Sequence, residues 1–271
     1  MIRFLILAGY FEMTMYLHLS GKLNQYINLH YSYLAYISMI LSFVLAVVQL
    51  IVWMKQMKVH SHLTSRWAKI ASLVFLVIPL IVGSFFPTVS LDSTTVSAKG
   101  FHFPLAAGTS KEIQADEGTS SQYLKPDTST YFTKSAYDKE MRAAAKKYLK
   151  ESTIKVTTEN YMEVMEVLYD YPDEFAGKTL EFTGFVYNDP SDSKSQFLFR
   201  FGIIHCIADS GVYGLLTTGN DQHYENNTWV NVSGKITIRY HKQLGQSLPT
   251  LQVERFTKVD KPDNPYVYRV F

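Results

Sequence analysis

The sequence predicts a membrane-embedded α-helical N-terminal part followed by a mainly-β soluble domain. Three observations carry this. The run from Ala68 to Phe86 holds no charge after Lys69, and at 1.5 Å per helical residue it extends about 28 Å, close to a bilayer's hydrocarbon thickness. Basic residues collect at one end of the apolar segments. Downstream of residue 178 the hydrophobic period falls to two, the period of a strand.

A chain of 271 residues is long enough for two units. Its mean hydropathy of −0.03 averages an apolar first third with a polar remainder. The net charge of +2 implies no nucleic-acid partner. Cys206 is the single cysteine, which excludes an intrachain disulfide. The sequons at Asn226 and Asn231 matter only in a glycosylating secretory pathway.

Residues 1–87 are read as three membrane crossings. The first, Ile2 to Leu19, is read as a span in preference to the rival signal peptide, because Glu12 interrupts it and no small-residue cleavage site follows. The second, Tyr33 to Met54, is apolar apart from Ser38, Ser42 and Gln49. The third is the run to Phe86. Lys55, Lys58, Arg66 and Lys69 lie between the second and third, against Lys22 alone between the first and second. The positive-inside rule puts the 55–69 loop and the N-terminus in the cytoplasm, and the C-terminal part outside the plasma membrane. Trp53, Trp67 and the tyrosines between 26 and 36 suit the aromatic belts of a lipid bilayer.

Two polar residues in the spans are candidate partner contacts. A charge at the position of Glu12 costs roughly 2.5–3.5 kcal/mol on insertion scales, so the carboxyl is expected to be protonated, paired or facing protein. Gln49 fits helix–helix hydrogen bonding. Three helices with one acid make a poor transport pathway on their own.

Residues 88–133, rich in Ser, Thr, Gly and Asp, read as a flexible linker. The domain follows at 134–271. Ser135 to Glu151 is helix-patterned, with Tyr137, Met141, Ala144, Ala145 and Tyr148 near one face and Lys139, Arg142, Lys146, Lys147 and Lys150 on the other. The basic face is read as solvated, with anionic headgroups as the sharper alternative. A second helix opens at Asn160, with Glu163 as the partner of a capping box, and Pro172 ends it. Five strands come next: Thr179–Asn188 with a bulge expected at Gly184, Gln196–Ala208, Val212–Thr217, Thr228–Tyr240 and Leu248–Lys258. Five such strands without crossover helices suggest a small closed barrel of the OB type. From Asn160 onward, ten Lys and Arg face fourteen Asp and Glu, a net of −4. A single-strand binder needs a basic groove, so Phe197, Phe199 and Phe201 are read as core.

Several motifs are specific in combination: Arg3-Phe4-Leu5-Ile6-Leu7, Ser20-Gly21-Lys22-Leu23, Tyr26-Ile27-Asn28, Gly184-Phe185-Val186-Tyr187, Cys206-Ile207-Ala208-Asp209 and Pro262-Asp263-Asn264-Pro265-Tyr266. On these the chain resembles, over nearly its whole length, the YcgQ-like family of bacterial membrane proteins. The resemblance implies pairing with an integral membrane permease subunit and a link to metal homeostasis. The long Ser/Thr linker departs from that family. So does His205-Cys206, where similar proteins tend to carry two adjacent cysteines.

His205, Cys206 and Asp209 are the one cluster of soft or titratable residues in the strand region. Their donor types suit a transition metal such as zinc or copper, yet neighbours on a strand point to opposite faces unless a bulge intervenes. The plainer alternative has Cys206 packed inside, His205 facing out and Asp209-Ser210-Gly211 as a turn. No phosphate-binding loop, dinucleotide fingerprint or H-E-x-x-H motif occurs. The leading expectation is a non-enzymatic permease subunit whose outer domain gates or receives solute. The competitor is a membrane-anchored metal- or ligand-binding module.

Overall fold

A computed structural model describes residues 1–57, 63, 65–86, 90–99, 134–189, 192, 195–219, 222–242 and 244–269. The chain divides into two compact units, Met1–Ser90 and Leu91–Phe271.

The first unit is helical. α1 spans Ile2–Leu19, α2 Ser32–Met54 and α3 Arg66–Phe85. Two short 3-10 turns, Lys22–Gln25 and Leu29–Tyr31, join α1 to α2. The segments Leu29–Met54 and Arg66–Phe85 are long and apolar enough to cross a membrane. α1 does not join them, because Tyr10, Glu12, Thr14 and His18 dilute its 18 residues. Among the described residues of this unit, only Ile6, Leu23 and Ala46 are buried apolar side chains. Ile37, Ile40, Phe43, Phe75 and Phe85 are all exposed. Such a surface calls for an apolar surrounding.

α1 nevertheless packs closely on both neighbours. Phe11 meets Phe43 of α2 at 5.2 Å between ring centroids. A methyl on Gly9 would sit 3.2 Å from Leu80, and one on Gly83 would sit 2.6 Å from the Met13 sulfur. Pro79 interrupts the α3 ladder, and the Tyr10 hydroxyl donates to the nearby Leu76 carbonyl at 2.9 Å.

The second unit starts earlier than the linker reading expects. α4, Ser93–Lys99, occupies part of the Ser/Thr-rich stretch. Val96 is 1% exposed, and the Ser93 amide donates to Asn227 Oδ1 at 2.8 Å. The rest of the linker, 100–133, lies outside the described residues. α5 is Lys134–Tyr148, α6 Tyr161–Asp170 and α7 Pro172–Phe175. The capping box at Asn160 does not form. Asn160 Oδ1 accepts the Thr157 amide instead, and Glu163 accepts the hydroxyl of Tyr148 from α5.

Seven strands form one mixed sheet: β1 Thr153–Lys155, β2 Thr179–Asn188, β3 Gln196–Ile203, β4 Gly211–Thr218, β5 Trp229–His241, β6 Gln246–Lys258 and β7 Tyr266–Tyr268. Their order is β1-β2-β5-β6-β4-β3-β7, with a further pairing of β2 to β3. β4 and β6 run parallel, while the short β1 and β7 lie parallel to β2 and β3. The register shifts opposite Ser233/Gly234, where Glu254 of β6 is the extra residue, so the bulge lies in β6 and not at Gly184. At Gly234 a methyl would collide with the Gln252 carbonyl of β6. Gly184 instead permits close approach: its methyl would lie 2.9 Å from the Phe199 carbonyl. Phe197, Phe199 and Phe201 are buried core, as expected. α6 lies in that core, its Tyr161 and Tyr169 hydroxyls donating to the Tyr213 and Gly214 carbonyls.

Candidate functional site

The N-terminal unit exposes Glu12 on α1 and half-exposes Gln49 on α2. Among the described residues the Glu12 carboxyl makes no hydrogen bond or ion pair. A further polar feature escapes a sequence reading. The His18 ring lies tilted against Tyr36 at 4.1 Å between centroids, and its Nδ1 lies 3.0 Å from the Thr14 carbonyl. A carbonyl only accepts, so Nδ1 carries the hydrogen and Nε2 is the acceptor. Nε2 is buried without a hydrogen-bond partner among the described residues, and so is Gln25 Oε1. Only packing of α1 on α2 makes His18 unusual, and periodicity does not reveal that.

In the second unit, Ile203 ends β3 and the chain turns into a 3-10 helix at Ile207–Asp209 with Cys206 as its N-cap. Asp209 organises this turn. Its Oδ2 accepts the His205 amide and His205 Nδ1, both at 2.9 Å, and its Oδ1 accepts the Cys206 amide at 3.1 Å. The Cys206 sulfur accepts the Asp209 amide in return. The three residues therefore meet, and His205 is half-exposed. Their contacts are those of a capping box, with both carboxylate oxygens engaged. Among the described residues no group of three or more His, Cys, Asp or Glu is placed to hold a metal ion. The trio sits in the connection of the β3–β4 hairpin, whose 3-10 turn ends at Asp209 just before Gly211 opens β4.

Two other titratable groups are buried. His241, at the end of β5, and Asp189, just after β2, are 6% and 1% exposed at their side chains and meet at 2.9 Å. His241 Nδ1 accepts the Leu244 amide, so Nε2–H donates to Asp189 Oδ2. This pair ties the β2–β3 connection to the β5–β6 turn. Glu166 on α6 is 5% exposed. Burial pushes its carboxyl up to about 7, against the opposing pull of Arg269, whose guanidinium lies 3.4 Å away. Arg200 is also buried, held by the Asn264 and Tyr266 carbonyls and Thr158 Oγ1, and burial lowers its pKa.

The chain matches the models of the DUF1980 N-terminal domain over residues 2–102 and the DUF1980 C-terminal domain over residues 131–269. It is 65% identical over 271 residues to a protein of Streptococcus mutans serotype c named "Putative two-component membrane permease complex subunit", covering all of both chains. It is 36% identical over 292 aligned positions to UPF0703 protein YcgQ of Bacillus subtilis strain 168, again covering both chains. The resemblance seen in its motifs thus extends along the whole sequence, and the chain belongs to the DUF1980 family that includes YcgQ.

Proposed function

We propose that this chain is a non-enzymatic accessory subunit of a membrane permease complex. The observation that carries this is the end-to-end 65% identity to the S. mutans protein, whose name makes it a subunit of such a complex. The exposed apolar surfaces of α2 and α3 support it, since lipid and partner helices cover such surfaces. In this reading α1 is a third crossing, with Glu12 turned toward the partner subunit and Gln49 a second polar contact. The Lys/Arg asymmetry of the loops supports a cytoplasmic N-terminus and an extracytoplasmic second unit in the plasma membrane.

The strand pairings support reading that second unit as an OB-like barrel. From β2 they pass through β5, β6, β4 and β3 and return to β2, the connectivity of a five-stranded Greek-key ring. Its role is to gate or receive solute for the permease. A free-standing metal-binding module has less support, because the contacts of Asp209 are spent on a cap.

The test is co-purification from native membranes in mild detergent, comparing wild type with Glu12→Gln and Glu12→Leu. Glu12→Gln keeps size and hydrogen bonding and is expected to retain the partner. Glu12→Leu is expected to lose most of it. Full retention of the partner by both variants removes Glu12 from the contact, and absence of any membrane partner from wild type refutes the subunit reading.

A further inference from the structure

α5, α6 and the C-terminal strand meet around a cavity of about 40 Å³ lined by Glu140, Glu159, Glu163, Glu166, Tyr268 and Arg269. That is room for about one water. Glu166 is the deepest acid in this cluster, 5% exposed in the middle of α6. Its surroundings are strongly acidic. Glu163 and Asp170 face it from its own helix and Glu140 from α5. Tyr137 of α5 donates to Asp170 at 3.2 Å, and Tyr213 of β4 lies close enough to feel the Glu166 charge. Arg269 is the cation that faces it, at 3.4 Å and at the very end of the described chain.

α5 and the C-terminal strand form two of the three walls. α5 is held on α6 by Met141, Ala145 and Tyr148, which are buried, and by hydroxyl contacts to Glu163 and Asp170. The C-terminal strand β7 pairs through three residues only, Tyr266 to Tyr268. A carboxylate at Glu166 has one cation, Arg269 at 3.4 Å, against three neighbouring acids, Glu140, Glu163 and Asp170, and a low-dielectric site penalises that charge. A neutral carboxyl has no such penalty and tolerates a dry, closed cavity.

We propose that Glu166 and Arg269 form a proton-operated latch, in which the neutral carboxyl lets α5 and the C-terminal strand close over α6 and the carboxylate draws in water and loosens them. α5 follows α4, which opens this unit. On the extracytoplasmic placement of the proposed function, the latch makes the seating of α5 depend on external acidity.

The experiment is hydrogen exchange read by mass spectrometry on the full chain in detergent, corrected for the intrinsic pH dependence of exchange. Peptides covering α5 and β7 report the latch and peptides of β3 serve as reference. With a closed-state value near 7 and an open-state value near the ordinary 4.5, opening is expected to be about 30-fold more populated at pH 8 than at pH 5.5. Glu166→Gln is expected to abolish that change and to keep α5 protected at both pH values. Arg269→Gln is expected to move the midpoint upward, since it removes the opposing cation. A flat wild-type profile overturns the proposal. So does a pH response that survives in Glu166→Gln, or an Arg269→Gln midpoint that does not move should the first variant fail to fold.

Discussion

At the scale of single residues, the His241–Asp189 pair carries the most predictable energy. Both side chains are nearly out of water and each satisfies the other. Asp189→Ala leaves the buried Nε2–H without its acceptor, which costs about 1–3 kcal/mol, and is expected to lower the thermal midpoint of the full chain. Asp189→Asn still accepts from Nε2–H and is expected to cost about 1 kcal/mol. Calorimetry in detergent measures both. The turn at 206–209 gives a second expectation. If Asp209 is a cap, Cys206→Ser is close to neutral, because serine caps a helix well, and neither EDTA nor added zinc shifts the unfolding temperature. Proximity of His205, Cys206 and Asp209 was legible in the sequence, since four residues of turn keep them together. Their use was not, because a carboxylate that caps and one that ligates carry the same letters. Glu166 was illegible for another reason: as one of three acids on α6 it becomes special only when α5 and the tail cover it.

Elements follow the same division. The five long strands were readable from their alternation and their Gly and Asp punctuation. β1 and β7 have three residues each, too few for a period to register. α4 sits in Ser and Thr sequence that reads as linker, and its place is set by Val96, by Asn227 accepting the Ser93 amide and by Tyr266 accepting the Leu91 amide just before it. The bulge was misplaced because the extra residue is Glu254 of β6, opposite Ser233 and Gly234, and no glycine marks it in the sequence. Gly234→Ala is expected to destabilise by about 1–3 kcal/mol, where an unstrained glycine replacement would stabilise, because its methyl meets backbone rather than a movable side chain. α6 adds a pH term. Burial holds Glu166 above its ordinary 4.5, at about 7. Its contribution is therefore complete below about pH 4.5 and is lost as pH rises through about 7, with a ceiling near 3 kcal/mol. Wild type is expected to lose stability relative to Glu166→Gln as pH rises from about 5 to 8 in thermal scans.

For the whole molecule, two levels of information meet. Charge asymmetry and apolar runs supply an orientation, and full-length similarity supplies a context. Orientation is checked by impermeant thiol labelling of intact cells in a Cys206→Ser background. A cysteine at Ser247, exposed on β6, is expected to react, and one at Gln56, beyond α2, is expected to stay silent until the membrane is opened. The central claim is assembly, and the most direct measurement is the composition of the particle extracted from native membranes. Quantitative mass spectrometry of the chain, tagged at its own locus and purified in mild detergent, is predicted to find one multi-span membrane protein at a fixed ratio to it. A particle containing this chain alone, at wild-type abundance and under several detergents, would contradict the account.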